Sequence, residues 1–338
     1  MRDCSRLTTL VVLALTLSLA GCGGDGSQQE QEASAPAEAG ETQQDTVEAD
    51  AEEAAPETDS DPDASDERVI EVVVRDFAID APEEMGTGWY TMRLENLGQQ
   101  THFVIMYRLV EGKTIEDQRR EVVPAFDELM AGIRSGEIEK ADIGTFLGEN
   151  IPEWGLQMTY VGGVGLLAPG RSAQTSFRVP EPGTYLMECY VKSPDGTFHT
   201  SMGMLTQVDV VDQGGEGAEP EADATIAITN DGIEAPDTLP SGSQTIRVDI
   251  EDRPETFMPY DVNLARLEED SDLEDIVSWM DWSDVGGLRA PAPVEFLGGV
   301  EHMEAGNHGY MTVDLSPGRY LWISEINAAE MHQVFTVE

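Results

Sequence analysis

Between residues 69 and 211, apolar side chains gather in short runs separated by Gly and Pro, a pattern that fits strands. The runs are Val69 to Arg75, Tyr90 to Glu95, His102 to Leu109, Gln174 to Val179, Thr184 to Cys189 and Leu205 to Val211, all rich in β-branched and aromatic residues. In the fifth, Tyr185, Met187 and Cys189 alternate with Leu186 and Glu188. Many short strands divided by turn signals predict an all-β sandwich or barrel. The period changes in two places. Pro124 to Ile133 brings Phe126, Leu129, Met130 and Ile133 to a helical spacing, and Asp272 to Met280, with Ser271 as its candidate cap, does the same. Each stretch reads as a short helical insert laying an apolar stripe on the strands.

The pattern occurs twice. Ala81-Pro82 falls on Ala235-Pro236, and Thr91-Met92-Arg93-Leu94 on Thr245-Ile246-Arg247-Val248, without a gap. Further on, Gly162-Gly163-Val164 meets Gly298-Gly299-Val300, and Pro182-Gly183-Thr184-Tyr185 meets Pro317-Gly318-Arg319-Tyr320. The reading is two tandem copies, 68–212 and 222–338, with a linker at 213–221.

The start of the chain has a different character. Arg2 and Arg6 precede an apolar run from Leu7 to Leu19, too short to span a bilayer and suited to the core of a signal peptide, residues 1–21. The run ends in Leu19-Ala20-Gly21-Cys22, which resembles the lipobox of bacterial lipoproteins. That resemblance implies cleavage before Cys22, lipidation of Cys22, and an extracytoplasmic protein anchored to a bacterial membrane, in the periplasm or at the cell surface. No other segment is apolar enough to cross. Residues 23–67 hold 16 Asp and Glu, no Lys or Arg and no aromatic residue, a composition that buries no core and makes a disordered, self-repelling tether of 22–67.

Charge narrows the partners. The 338 residues carry 66 acidic and 19 basic side chains, a net charge of −47, which repels phosphate backbones and excludes nucleic acid. Residues 1–22 are net +1 and 23–67 net −16, which leaves −32 on 68–338. Such density serves hydration in a salty medium or the steering of a basic partner. There is no Gly-rich phosphate loop between a strand and a helix and no nucleophile elbow.

Of three cysteines, Cys4 leaves with the leader and Cys22 takes lipid, so Cys189 is the lone thiol of the mature chain. A lone thiol outside the cytoplasm is buried and inert, a metal ligand, or reactive. Its neighbours bear on the choice. Gly183-x-Tyr185-x-x-x-Cys189 is followed by His199 and then Met204, and His102 opens a strand upstream. One early His, then Cys, His and Met in a late loop, resembles the cupredoxins over nearly all of the first copy outside its helical insert. The resemblance implies two Greek-key β-sandwiches, with one copper ion held in the first by His102, Cys189 and His199 and by Met204 as a weak axial ligand. It further implies a one-electron carrier rather than an enzyme, with a redox protein as partner. Imidazoles suit Cu(II), and thiolate and thioether suit Cu(I).

The nine residues between Cys189 and His199 exceed the family's small carriers and leave Met202 as a second axial candidate. In the second copy Ser324 stands where Cys189 stands, Met331 aligns with Met204, and the His102 position falls near Tyr260. Copper is therefore not expected there. His302 and His308 read as solvated turn residues, and His332 as a structural residue of the last strand. The Gly162–Leu167 turn and Met202 are candidate rim positions for docking. Two other readings stay open: a metal-free surface module for protein binding, and copper capture without electron transfer.

Overall fold

The computed structural model describes residues 67–213 and 215–338. The leader, Cys22 and the acidic stretch up to residue 66 lie outside the described residues. The first copy contains β1 Val69–Arg75, β2 Ala78–Asp80, β3 Glu84–Gly86, β4 Gly88–Asn96, β5 His102–Arg108, β6 Thr159–Leu167, β7 Ser172–Val179, β8 Gly183–Glu188 and β9 Leu205–Val211. The second repeats it as β10 Ala224–Thr229, β11 Gly232–Glu234, β12 Thr238–Leu239, β13 Gly242–Ile250, β14 Val262–Leu267, β15 Glu295–Val300, β16 His308–Leu315, β17 Gly318–Ile323 and β18 His332–Val337. Each copy is a Greek-key sandwich, and alternation sets its inner face: in β1, Ile70, Val72 and Val74 are buried while Glu71 and Arg75 face water. Gly183-x-Tyr185 and Gly318-x-Tyr320 place two equivalent tyrosine corners. The Tyr185 hydroxyl donates to the Glu181 carbonyl and that of Tyr320 to the Ser316 carbonyl, each at 2.8 Å.

The two sandwiches share both sheets. One runs β11-β10-β13-β16-β7-β4-β1-β2 and the other β12-β18-β17-β14-β15-β6-β5-β8-β9-β3. Each order reads the same from either end once equivalent strands are exchanged, so the copies meet about a pseudo-two-fold axis. The registers obey it. Val164 pairs with its own equivalent Val300, and the flanking pairs Leu167–Leu297 and Val161–Met303 are mirror positions. On the other sheet Tyr310 meets Ser176 and Met311 meets Thr175.

This seam corrects the reading of Gly162–Leu167 as an exposed turn. The segment lies inside β6, between β5 and β15, and is buried throughout. Its glycines serve close approach. A Cβ on Gly163, whose φ is +139°, would sit 2.0 Å from the Val104 carbonyl oxygen, and one on Gly299 would sit 2.1 Å from that of Val262.

Both helical inserts form. The first extends well past the predicted stretch: helices Val123–Ser135 and Ile143–Asn150 follow a turn at Ile115–Asp117, and Val122, Ala125, Leu129, Leu147 and Ile151 make a small core of their own. Gly136 closes the longer helix in the left-handed conformation, φ 76°. The second insert is Leu273–Met280. Its cap is Asp272, whose carboxylate accepts from the amides of Glu274 and Asp275, while the Ser271 hydroxyl accepts from the Glu268 amide one turn earlier.

Candidate metal centre

At one end of the first sandwich His102, Cys189 and His199 converge, each fully buried. Each offers one donor atom, and the three atoms lie within 4.8 Å of one another. The sulfur stands 3.7 Å from Nδ1 of His102 and 3.6 Å from Nδ1 of His199. Among the described residues this is the one such cluster.

Local structure delivers each donor. His102 opens β5 after a loop built on buried Asn96, whose side-chain amide donates to the Gln100 and Leu167 carbonyls and whose Oδ1 accepts from the Gly98 amide. Cys189 follows β8, and its amide donates to the Met204 carbonyl at 3.1 Å. The Met204 amide returns to the His199 carbonyl at 3.0 Å. Those two bonds fold the loop so that Met204, fully buried, lies beside the cluster, whereas Met202 on the turn His199–Met202 is 40% exposed.

The imidazoles are held from behind. Nε2 of His102 donates to Asp76 Oδ1 at 2.7 Å, and the Gln99 amide fixes the other carboxylate oxygen at 2.9 Å. Nε2 of His199 donates to Gln100 Oε1 at 3.2 Å. With Nε2 protonated on both rings, both Nδ1 lone pairs face the sulfur. Burial pushes the Cys189 thiol up to about 12, against the amides of Phe103 and Val191 that point at it. Burial first, and then repulsion from His102, lowers His199 to about 3. Burial also lowers His102, with Asp76 pulling the other way. Both imidazoles are therefore neutral and ready to ligate at neutral pH, while the thiol has a proton to release.

The second sandwich grips the long loop between Cys189 and His199. Lys192 is fully buried and its ammonium donates to the carbonyls of Trp282 and Asp284 at 2.8 and 2.6 Å. Backbone bonds from Lys192 to Leu288 and from Ala290 back to Lys192 continue the hold, and Arg289 donates to the Pro194 carbonyl. Burial lowers the Lys192 ammonium to about 8 despite nearby Asp284 and Asp281.

The equivalent end of the second sandwich keeps the frame with other chemistry. Ser324 donates its amide to the Met331 carbonyl at 3.0 Å, as Cys189 does to Met204. Tyr260, at the His102 position, donates to Asn230 at 3.1 Å, and Asn230 occupies the place of Asp76. The Ser324 hydroxyl donates to buried Asp261 at 2.6 Å. His302 is not solvated. It is fully buried, with Nδ1 donating to the Pro259 carbonyl at 2.7 Å and Nε2 accepting from the Tyr190 hydroxyl at 2.9 Å. His308 opens β16 and pairs with Glu219 at 2.7 Å, so it too is structural rather than a turn residue. His332 opens β18 and bonds the Ala328 carbonyl at 2.8 Å.

Sequence reasoning missed Asp76, Gln100, Asn96 and Lys192. Only Asp76 carried a usable signal, because the internal repeat sets it opposite Asn230. Lys192 had none, since its partners lie about 90 residues away.

The sequence matches no family model and no curated protein. Solved structures do align. Auracyanin from Roseiflexus castenholzii is 20% identical, covers 42% of this chain and 96% of its own, and has a TM-score of 0.23. Auracyanin A, a blue copper protein from Chloroflexus aurantiacus, is also 20% identical, covers 42% and 98%, and scores 0.26. A multicopper oxidase at 16% identity covers 80% and 88%, with a TM-score of 0.22. Strand order gives both sandwiches a cupredoxin-like fold, and the second has Ser324 and Tyr260 where the first has Cys189 and His102.

Proposed function

We propose that the first sandwich binds one copper ion through His102 Nδ1, Cys189 Sγ and His199 Nδ1, with Met204 as the weak axial ligand, and serves as a one-electron carrier rather than an enzyme. The observation that carries this reading is the convergence of two neutral imidazoles and one thiol, all buried, with the outer nitrogen of each ring already held. Two imidazoles, a thiolate and a thioether suit both copper oxidation states. Bound copper supplies a Cu(II)/Cu(I) couple. The protein's part is to keep the geometry from changing between the two states. Asp76 and Gln100 fix the rings, the Met204 and His199 carbonyls fix the loop, and burial excludes water. Met204 is preferred to Met202 because its side chain is buried, whereas that of Met202 meets solvent.

The lipobox-like Cys22 supports a lipid-anchored, extracytoplasmic carrier held off the membrane by its acidic tether, and the net charge favours a basic redox partner. Purified protein given one equivalent of Cu(II) is expected to show intense visible thiolate-to-copper absorption, lost in Cys189→Ser. Tight Cu(I) binding without that band would indicate capture alone. Absence of stoichiometric copper would leave a metal-free surface module.

A further inference from the structure

The two copies differ most in the loop that follows Cys189. Fourteen residues separate Cys189 from Met204, against six between Ser324 and Met331 at the equivalent end of the second copy. Within the longer loop, residues 192–198 form a small hairpin. Lys192 bridges Phe198, and the Ser193 amide donates to the Thr197 carbonyl at 2.9 Å. The His199 amide closes its base on the Val191 carbonyl at 2.8 Å. A hairpin this short is marginal by itself, yet it delivers His199 to the sulfur.

A strap of the second copy, residues 281–290, holds it from outside. Lys192 and Arg289 pair as parallel strands do. The Lys192 amide donates to the Leu288 carbonyl at 2.7 Å, and the Ala290 amide returns to the Lys192 carbonyl at 2.8 Å. The buried Lys192 ammonium reaches the strap carbonyls of Trp282 and Asp284 and lies 5.5 Å from the ring of Phe198, the residue before His199. The strap is fixed in turn. Trp279 Nε1 donates to the Arg289 carbonyl at 2.7 Å, and the Leu288 amide to the Trp279 carbonyl at 2.5 Å. Lys140 of the first insert binds Asp281 and Asp284 at 2.8 and 2.9 Å. Leu288 is fully buried with a φ of 44°. A leucine in the left-handed region is strained and persists only where its surroundings over-determine it. Here the strained residue is the one that receives the Lys192 amide.

We infer that the second copy serves the candidate metal centre of the first as an external clamp, with Lys192 as a positioning residue for His199 and Met204. The inference rests on the copper reading of the first sandwich. A loop already ordered by the strap meets its ordering cost on folding rather than on metal binding. Loosening the strap shifts that cost onto the metal, which then leaves faster.

The test uses the full chain, Lys192→Leu and Arg289→Ala, the latter removing only the side-chain bonds to the Pro194 carbonyl. In metal-free Lys192→Leu, the amides of residues 192, 193 and 199 are expected to exchange hydrogen at least about tenfold faster, while those of β1 keep their rate. Loaded with one equivalent of Cu(II), the same variant should yield its metal to a chelator about tenfold faster and show a shifted visible band. Arg289→Ala should move exchange and release in the same direction by a smaller factor, at unchanged melting temperature. Loop amides that keep their rate, equal acceleration in β1, or unchanged copper release despite faster loop exchange would each overturn the clamp. If the unmutated chain takes up no copper, the copper reading fails and the exchange rates alone decide whether the strap holds the loop.

Discussion

His102 reaches the sulfur with one nitrogen and Asp76 with the other, and the carboxylate is pinned in turn by the Gln99 amide. Such outer partners set tautomer and ring angle, and losing one lowers metal affinity about 10- to 100-fold. Asp76→Asn keeps an acceptor but removes the charge, so roughly tenfold weaker copper binding is expected in competition with a chelator; unchanged affinity would deny Asp76 this part. Buried carboxyls of the second sandwich, Glu301 and Glu325, bear on stability against pH. Glu301 is buried in the second sandwich near Asp261 and Glu325, and burial, followed by those two charges, holds its carboxyl well above the usual range. A folded pKa above the unfolded value, about 4.3, means that the native state binds the extra proton. Stability from this group is then present below that value and declines as pH rises toward the folded pKa. Glu301→Gln should therefore raise the melting temperature at pH 7.5 by more than at pH 4.5; an equal effect at both would show that the carboxyl does not titrate with folding.

Elements were legible where their runs were clean. β1 and β9 follow the predicted runs end to end, because each is a short stretch dense in β-branched residues. The three-residue strands β2 and β3 are too short to show a period. In β8 the second face is buried as well, beneath the insert, which is why Leu186 and Glu188 are inside despite the alternation. β6 was illegible for a reason of its own: Gly162-Gly163 reads as a turn in one dimension, yet marks where β6 crosses Val104 at backbone contact. Gly163→Ala should destabilise the fold by about 3 kcal/mol in chemical denaturation. Gly299→Ala should cost a similar amount, since the two positions are equivalent. A neutral Gly163→Ala would mean that β6 does not run where it is placed.

Across the whole molecule, the seam makes the tandem copies one body. Besides the paired strands, Leu166 donates its amide to Asn263 at 2.7 Å and Thr175 its hydroxyl to the Gly299 carbonyl at 2.7 Å. Calorimetry on the intact protein is expected to show one cooperative transition; two resolved peaks would mean that the sandwiches unfold independently. The sequence alone determined the repeat, the β-class of each copy and the residue types of the candidate metal centre, since residue pattern and motif spacing are local properties of the chain. It also made the second copy legible as a control, because Ser324 replaces Cys189 at a fixed repeat position. What only the tertiary structure decided is how side chains 87 residues apart meet, which methionine is buried, and that Asp76 holds the His102 ring while Lys192 ties down the loop between Cys189 and His199. Those depend on side-chain direction and on strand pairing across the seam, and contacts of that kind leave no period in the sequence.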